Sequence, residues 1–339
     1  MLAGVFEEIG SLVLEEREDP TLQTELDVKI RVEAASICGT DVHILADPPG
    51  HPATAGVVQG HEYIGEIVEI GKDVKNVVIG DRVVVDPTTV CGFCHYCQTG
   101  QQNMCENSSS IGIFIDGGWT SYSVVPARNV HKISKEVPAE IAVLAEPLSC
   151  VINGSEKVNV QPGDSVVILG AGPMGQIFTQ VLKAAGAGRI ICVDYSDYRL
   201  DYSLKSGATH TVNPKNQDVF QVVIEETGIG ADVVIDCVGS LFDQAMTLVR
   251  KGGQILLVGM NEHAQPLIKQ YDITRNEITV QGTFIQNNDF PKVIKILEAN
   301  LLNLKELITH KVTLSNIHEG IETMKKGEAI KIIVYPEEK

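Results

Sequence analysis

The chain has 339 residues, of which 44% are hydrophobic, and a formal net charge of −17 at pH 7. This length is enough for two domains of about 100–200 residues each. A surface this acidic repels phosphate groups, and no segment has the roughly 20 apolar residues of a membrane-spanning helix, so the composition argues against nucleic-acid and membrane partners. The first residues also lack the basic head and apolar run of a secretory signal.

The first third of the chain predicts an all-β region. Short β-branched runs alternate there with glycines, prolines and other turn residues, which is the pattern of short strands joined by tight turns. The clearest runs are Val28–Glu33, Ile64–Ile70 and Arg82–Asp86. We expect these strands to form a closed or nearly closed sheet.

From about residue 148 the pattern changes to strands that alternate with amphipathic helices. Alternation of this kind predicts a parallel sheet with helices on both faces. The predicted strands are Ser165–Leu169, Arg189–Val193, Ala231–Asp236, Gln254–Val258 and Ile278–Gln281, and the predicted helices are Met174–Ala185, Tyr198–Ser206, Val219–Thr227 and Leu241–Arg250.

The C-terminal segment returns to mixed structure. It predicts helices near Phe290–Asn300 and Ile317–Lys325 and a final strand, Lys331–Tyr335. We expect that strand to pair with the N-terminal β region, which makes the first domain discontinuous. The predicted domains are therefore residues 1–147, completed by residues 288–339, and residues 148–287.

Four cysteines lie close together in a C-x2-C-x2-C-x7-C pattern, Cys91, Cys94, Cys97 and Cys105. Four thiolates at this spacing form a closed tetrahedral set that suits zinc and leaves no coordination position for a substrate. The pattern therefore predicts a structural zinc site. It also favours a reducing, intracellular compartment over disulfide bonding.

A glycine motif follows the strand Ser165–Leu169 directly and opens the next helix, with glycines at Gly170, Gly172 and Gly175. This strand–turn–helix context predicts a dinucleotide-binding turn in which backbone N–H groups face the pyrophosphate. Asp194 ends the next strand, about 20 residues further on, where a carboxylate binds the ribose 2′-hydroxyl and repels a 2′-phosphate. The motif predicts NAD over NADP, although Arg199 could soften that preference. The alternative is a glycine turn in an ordinary α/β protein.

Two segments, Cys38-Gly-Thr40-Asp41-Val-His43 and Gly60-His61-Glu62, form a second constellation that offers one thiolate, one imidazole and one or two carboxylates to a metal. A mixed thiolate, imidazole and carboxylate set is typical of catalytic zinc sites, which keep one position open. Such a zinc acts as a Lewis acid and lowers the pKa of a bound alcohol. The alternatives are that Cys38 is a buried apolar residue and that His61 caps a turn.

Other candidate side chains receive structural interpretations. Cys150, Cys192 and Cys237 lie in apolar segments and are expected in the core. His51 is expected in a solvated loop, and His95 and Tyr96 are expected to shape the segment that carries the four cysteines.

The chain resembles the zinc-dependent medium-chain dehydrogenases of the alcohol dehydrogenase family. The resemblance spans the full length and rests on these motifs: Cys38-Gly-Thr-Asp with His43, Gly60-His-Glu-Tyr-Ile-Gly65, Gly80-Asp-Arg-Val83, the four cysteines, Gly117-Gly-Trp-Thr-Ser-Tyr122, Glu146-Pro-Leu-Ser149 and the glycine turn. It implies an α/β fold with a GroES-like β-rich catalytic domain, a Rossmann NAD-binding domain and an active site between them. It also implies one catalytic and one structural zinc per chain, a cytoplasmic location and a homodimer or homotetramer.

The resemblance also implies site residues. Cys38, His61 and Glu146 match the catalytic zinc ligands, and Glu62 matches an adjacent glutamate that ligates the metal or yields to water. Thr40 matches the hydroxyl that receives the substrate proton, and His43 matches the imidazole that passes it on by way of the NAD ribose. The remaining predicted cofactor contacts are Pro173, Met174, Arg199, Val258, Met260, Thr283 and Phe284.

The implied reaction transfers hydride from a secondary alcohol to NAD, with the substrate left open between two branches. Glu146-Pro-Leu-Ser149 and Gly117-Gly-Trp-Thr-Ser-Tyr122 resemble polyol (sorbitol-type) dehydrogenases, whereas the segments around Cys38 and His61 resemble threonine 3-dehydrogenases. We rank the polyol branch first because Glu146 is expected at the metal. Sorbitol dehydrogenase has an arginine after the phenylalanine that corresponds to Phe284, and this chain has Ile285, which leaves another polyol, a polyol phosphate or a smaller secondary alcohol open.

Two more distant interpretations are a non-catalytic nucleotide-binding protein and a zinc-free quinone reductase on the same fold. Both should have lost metal ligands or proton-relay groups, and this chain retains them all.

Overall fold

A computed structural model describes residues 1–336 of the chain, which divide into two compact units. Unit 1 contains Met1–Ser149, Asn287–Asn300 and residues 308–336, and unit 2 contains Cys150–Gln286 and Leu301–Leu307. The domains predicted from sequence differ from these units by short segments, and residues 337–339 of that prediction lie outside the described part. Residues 301–307 group with unit 2, where Gln180 Nε2 donates a hydrogen bond to Asn303 O at 3.1 Å.

The strands are numbered in chain order. They are β1 (Leu2–Glu8), β2 (Ser11–Glu16), β3 (Asp27–Ile37), β4 (Val57–Val58), β5 (Tyr63–Ile70), β6 (Arg82–Val85), β7 (Thr88–Thr89), β8 (Ser109–Ser110), β9 (Tyr122–Pro126), β10 (Val130–Lys132), β11 (Ser165–Leu169), β12 (Arg189–Val193), β13 (His210–Val212), β14 (Ala231–Asp236), β15 (Val249–Leu257), β16 (Thr279–Gly282), β17 (Ile308–Thr313) and β18 (Lys331–Tyr335).

The α-helices are numbered in the same way. They are α1 (Gly39–Ile44), α2 (His95–Gln98), α3 (Ala139–Ala142), α4 (Ala145–Ser155), α5 (Pro173–Ala184), α6 (Asp197–Lys205), α7 (Val219–Thr227), α8 (Phe242–Leu248), α9 (Gln270–Arg275), α10 (Phe290–Glu298) and α11 (Ile317–Lys325). Short 3-10 helices occur at Gln102–Met104, Ala127–Asn129, Leu304–Leu307 and Leu314–Asn316. Among residues 1–336, no helix has the length and apolar character that crossing a membrane requires.

Unit 1 is built on a long central strand, β3. The main sheet runs β10-β6-β5-β3-β18-β17 with β9 also on β3, and β2-β1-β4 form a smaller sheet. The C-terminal strand β18 pairs antiparallel with β3, opposite Ile37, Ser36 and Ala35, which confirms the predicted pairing. No described pairing joins the ends β10 and β17, so the hydrogen-bonded sheet is open at that point, and of the predicted closed or nearly closed arrangements full closure is not observed.

Unit 2 is a parallel sheet with strand order β13-β12-β11-β14-β15-β16. All five strand pairs are parallel, and every residue of the central strand β11 is buried, which explains its uninterrupted apolar sequence. This order is the doubly wound arrangement in which ligands bind at the carboxyl ends of the strands. The predicted nucleotide-binding domain is therefore confirmed as a fold.

One predicted helix end in unit 2 was wrong. The helix expected over Leu241–Arg250 ends at Leu248, and Val249 already begins β15. Val249 pairs with Ala231 of β14, and Gly252 and Gly253 follow it. The β-branched Val249 packs into the core of unit 2, so pairing with the sheet outweighs continuation of the helix.

Candidate metal and dinucleotide sites

The ligand atoms of Cys38, His61 and Glu62 all lie within 4.8 Å of one another. We call these three residues the mixed-ligand group. Cys38 follows β3 and caps α1, and His61 and Glu62 come just before β5. Because β3 and β5 pair antiparallel, with Ala35 opposite Tyr63, the end of one strand lies beside the start of the other. Strand pairing therefore brings together residues that are more than 20 positions apart in the chain.

A glycine determines how His61 enters this group. Gly60 has φ +91°, a left-handed conformation that favours glycine, and a Cβ there would lie 2.4 Å from Cδ1 of Trp119. Trp119 is fully buried, and its Nε1 donates to Ser36 O at 3.3 Å. The tight turn before β5 therefore packs against a fully buried indole ring.

Asp41 orients His61 and Cys38 together. The carboxylate of Asp41 is fully buried, and its Oδ1 lies 3.2 Å from His61 Nδ1. Its Oδ2 accepts a hydrogen bond from Cys38 N at 2.8 Å. Burial lowers the pKa of His61, but the charges of Asp41 and Cys38 outweigh burial and hold this pKa well above 6.5. The carboxylate at Nδ1 leaves Nε2 available for a metal, as is usual for histidine ligands.

Glu62 lies in a buried ion pair that the sequence interpretation missed. Its Oε2 accepts hydrogen bonds from Lys331 Nζ and Ser36 Oγ, and both charged side chains are at most 3% exposed. Burial raises the pKa of Glu62, but Lys331 and then His61 outweigh it and the net shift is downward. Burial likewise lowers the pKa of Lys331, and Glu62 reverses that effect. A carboxylate held in this way remains charged beside Cys38 and His61.

Glu146, the third ligand implied by the resemblance, does not join the mixed-ligand group. It lies in the first turn of α4, half-buried. Its charge is the smallest of the influences that raise the pKa of Lys331, the cation paired with Glu62. The structure thus brings the ligand atoms of three of the four predicted metal residues within 4.8 Å of one another and leaves Glu146 outside that group.

The two predicted relay residues lie on α1, directly after Cys38. Thr40 is half-buried and His43 is exposed. A Cβ at Gly50 would lie 3.1 Å from His43 Nδ1, so the imidazole packs against the backbone at Gly50. An exposed imidazole close to the mixed-ligand group in sequence is suitably placed to exchange protons with solvent.

The dinucleotide turn forms at the carboxyl end of β11. Gly170 has φ +96°, and a Cβ at Gly175 would lie 2.0 Å from Gly170 O, so only glycine fits at the close approach of helix and strand. Gly172 caps α5, and Pro173 and Met174 form its first turn. The turn has the strand–glycine–helix geometry that binds a pyrophosphate.

Asp194 lies at the end of β12 and is hydrogen-bonded to the turn. Its Oδ2 accepts from Ala171 N and its Oδ1 from Ser196 N, each at 2.9 Å. Arg199 lies beside them, with one guanidinium nitrogen 3.8 Å from Asp194 Oδ2 and its buried Nε without a hydrogen-bond partner among the described residues. Each oxygen of Asp194 keeps a lone pair that can accept a ribose hydroxyl.

The remaining predicted cofactor residues follow β15 and β16 at the same edge of the sheet. Val258 N donates to Asp236 O at 2.9 Å, and Thr283 N donates to Leu257 O at 3.0 Å. Met260 and Phe284 are exposed, at 68% and 37%. The sequence interpretation missed Asp236, a buried carboxylate that accepts from Val238 N, Gly239 N and Leu241 N and so holds the loop after β14.

The four cysteines of the C-x2-C-x2-C-x7-C segment lie within 4.8 Å of one another, and we call this segment the cysteine lobe. The Sγ of Cys91 lies 3.9 Å from that of Cys97 and 3.6 Å from that of Cys105. Thiolates about 2.3 Å from one zinc ion, at tetrahedral angles, are roughly 3.8 Å apart, so the spacing fits zinc. The N–H of Phe93, with other donors, lowers the pKa of Cys91 to about 6, whereas burial raises the pKa of Cys97 to about 12, so the metal-free lobe favours thiolate at Cys91 and thiol at Cys97.

Two family models match the chain. The model described as "Alcohol dehydrogenase GroES-like domain" matches residues 24–135, and the model described as "Zinc-binding dehydrogenase" matches residues 173–299. The first covers β3, the mixed-ligand group and the cysteine lobe, and the second covers most of the parallel sheet.

Curated relatives match nearly the full length. An L-threonine 3-dehydrogenase of Caldanaerobacter subterraneus is 36% identical over 91% of this chain and 91% of its own. A sorbitol dehydrogenase of Halalkalibacterium halodurans is 35% identical over 96% of both chains. Because the sequence identity to these two relatives is nearly the same, it does not decide between their substrates.

Solved structures also match over nearly the full length. An alcohol dehydrogenase of Escherichia coli CFT073, complexed with NADH, is 31% identical with a TM-score of 0.92 over 99% of both chains. A structure from Sinorhizobium meliloti 1021, bound to NADP, is 30% identical with a TM-score of 0.94 over 99% of both chains.

Proposed function

Because this chain belongs to the zinc-dependent medium-chain alcohol dehydrogenase family, we propose that it oxidises a secondary alcohol of a polyol to a ketone with NAD as hydride acceptor. The observation that carries the proposal is the mixed-ligand group. One thiol, one imidazole and one carboxylate within 4.8 Å of one another are a donor set that fits zinc with an open position. The cysteine lobe supports a second zinc, of structural role.

In this proposal Cys38 and His61 hold the catalytic zinc, Glu146 is the third protein ligand and Glu62 lies beside it. When bound, the zinc lowers the pKa of the substrate hydroxyl. Asp41 holds the imidazole of His61 in the orientation that leaves Nε2 free, which supports this assignment.

With the cofactor bound, Thr40 would receive the proton of the substrate hydroxyl and His43 would pass it on to solvent. The exposure of His43 supports its position at the solvent end of that path. Hydride transfer needs only that the carbinol carbon and the nicotinamide ring are held in close alignment.

Gly170, Gly172 and Gly175 are proposed to bind the cofactor pyrophosphate, with Asp194 on the adenosine ribose. The remaining proposed cofactor contacts are Pro173, Met174, Arg199, Val258, Met260, Thr283 and Phe284. The carboxylate of Asp194 at the carboxyl edge of the sheet supports NAD over NADP. Arg199 next to it provides a positive charge that moderates this preference.

A polyol remains the first substrate class, and L-threonine and a polyol phosphate are the alternatives. The decisive experiment is a panel of polyols, polyol phosphates, threonine and simple secondary alcohols with NAD, following reduced cofactor at 340 nm. Highest kcat/KM with a polyol is the expected result. Activity with threonine alone would overturn the polyol assignment, and no activity with any alcohol in a protein that contains two zinc ions would overturn the proposed function.

Metal analysis tests the zinc assignment independently of substrate. The purified protein is expected to contain two zinc ions per chain, and Cys38→Ser is expected to contain one. A single zinc ion in the unsubstituted protein, unchanged by Cys38→Ser, contradicts the proposed catalytic site.

We also propose a cytoplasmic homo-oligomer, a tetramer or a dimer. All eight cysteines are free, which supports a reducing compartment. Among the described strands β16 pairs on one side only, with β15, so a second copy could extend the sheet at Gln281. Light scattering after size exclusion would measure the subunit count.

A further inference from the structure

Gln176, in the first turns of α5, is fully buried just after the glycine turn. Its Nε2 donates to Ala171 O at 2.9 Å, to Arg199 O at 2.9 Å and lies 3.0 Å from Ser203 Oγ. The side chain therefore connects the turn that faces the pyrophosphate with α6, the helix that carries Arg199. A buried amide is costly to keep unless its bonds are made, so its presence at this position calls for a reason.

The orientation of the Gln176 amide follows from its partners. Two of them are carbonyl oxygens, which only accept hydrogen bonds, so Nε2 and not Oε1 must face Ala171 and Arg199. Ser203 Oγ in turn donates to Arg199 O at 3.2 Å. The two hydrogens of Nε2 thus fix the amide in one orientation through two carbonyls from two elements, with Ser203 Oγ beside them.

The bond to Ala171 determines where a cofactor-facing N–H points. A trans peptide is planar, so the N–H of Gly172 points opposite to the carbonyl of Ala171. Gln176 holds that carbonyl from the protein interior, which directs the N–H of Gly172 away from the interior. On the other side, Ala171 N donates to Asp194 Oδ2 at 2.9 Å. Ala171 therefore links the glycine turn to Asp194, the carboxylate proposed to bind the ribose, and fixes the position of one relative to the other.

We propose that Gln176 is a positioning residue for the dinucleotide: it aligns the glycine turn, Asp194 and the helix of Arg199 before the cofactor binds. This inference rests on the proposed NAD-dependent function. Removing Gln176 frees the Ala171 carbonyl and lets the turn sample other orientations, so part of the cofactor binding energy is spent on ordering it. The loss should appear in cofactor affinity and not in the chemical step.

The same helix contains a matched control. Gln180 is also a glutamine of α5, is 5% exposed, and has its Oε1 unpartnered as Gln176 does. Its Nε2 donates instead to Asn303 O at 3.1 Å, in the segment that follows α10 and not in the glycine turn. Replacement of either glutamine by methionine removes one buried amide and keeps a flexible side chain of similar length.

The experiment measures NADH and ADP-ribose binding to the zinc-loaded full chain by fluorescence and calorimetry, with kcat and the KM for NAD. From the net value of a buried hydrogen bond, Gln176→Met should weaken both ligands about five- to tenfold and raise the KM for NAD by a similar factor, with kcat changed less than about twofold. Gln180→Met should change NADH affinity less than about twofold while still lowering the thermal midpoint, because it also removes a buried hydrogen bond.

The outcomes separate this inference from the proposed function. If NADH binds Gln176→Met within twofold of the unsubstituted protein, or if Gln180→Met loses as much affinity, Gln176 has no positioning role. If the unsubstituted, zinc-loaded chain binds no NADH, the proposed function fails instead. Should the methionine variants not fold, Gln176→Leu and Gln180→Leu give the same comparison with an apolar helix-forming side chain that leaves no large cavity.

Discussion

Replacing Lys331 with methionine should destabilise unit 1 strongly, because it leaves the buried carboxylate of Glu62 without its cation. Lys331 is 3% exposed and Glu62 is fully buried, and their ion pair joins β18 to the start of β5. Methionine has a similar length and no charge, so the change removes the charge and the hydrogen bond with little loss of packing.

The magnitude follows from the burial of both partners. Breaking a buried ion pair by removing one partner costs about 3–5 kcal/mol, since the remaining charge stays desolvated. Ser36 Oγ still donates to Glu62, and His61, whose pKa is raised well above 6.5, still supplies positive charge. We therefore expect a loss of about 3 kcal/mol in the metal-free protein, at the lower end of that range.

The assay uses Trp119, the only tryptophan of the chain, which is buried in unit 1 beside Ser36. Its fluorescence, followed during urea unfolding in the presence of a zinc chelator, reports the unfolding of unit 1. Lys132→Met is the control, because Lys132 in β10 pairs with Asp81 at 2.7 Å but is 51% exposed. An exposed pair of this kind contributes about 0–1 kcal/mol.

The double variant Glu62→Gln with Lys331→Met should recover most of the loss, since it removes the stranded charge. The reasoning is refuted if Lys331→Met lowers the free energy of unfolding by about 1 kcal/mol or less, which is no more than the exposed control loses. It is also refuted by a double variant as unstable as Lys331→Met alone, which would show that the cost lies in packing.

Three further changes have defined outcomes. Cys94→Ser should lower zinc by one ion per chain and reduce thermal stability while zinc bound through Cys38 is retained; loss of both ions in a folded protein would contradict the separation of the two sites. Asp194→Asn should shift the ratio of kcat/KM values from NAD toward NADP by about tenfold through loss of the repulsive charge, and an unchanged ratio would remove Asp194 from cofactor selection. Burial raises the pKa of Asp232, but the N–H of Ser165 and then Arg250 outweigh it, so the folded pKa is below the ordinary 3.8. A folded-state pKa below the unfolded-state pKa stabilises the protein at pH values above the unfolded-state pKa, and this stabilisation is lost as the pH falls through the folded-state pKa. Asp232→Asn should therefore make the fall of the urea midpoint below about pH 4 less steep. An equally steep fall would show that Asp232 does not contribute.

Local spacing was enough to predict the features that lie within short stretches of chain. The four cysteines span 15 residues, so their separation alone limits how far apart the sulfurs lie, and the structure groups all four. The glycine turn likewise needs only the strand before it and the helix after it. Alternation of apolar runs predicted the parallel sheet because its central strands β12, β11 and β14 are buried on both faces.

Strand ends and helix ends were predicted less well where tertiary pairing competes with local preference. Val249 continues an amphipathic helical pattern, yet it pairs with Ala231 and belongs to β15. Such a choice depends on the partner strand, which periodicity does not report.

The partners of buried polar groups were decided only by the tertiary structure. Lys331 reaches Glu62 across 269 positions of sequence, and Gln176 joins Ala171 to Arg199 across two elements. A lysine that begins an apolar strand and a glutamine within a helix carry no signal of their partners, because hydrogen bonds and ion pairs depend on distance and direction in space. Apolar pattern and residue spacing therefore predicted the fold and the cysteine lobe, whereas the grouping of Cys38 with His61 and Glu62 and the charge balance around them required the packed structure.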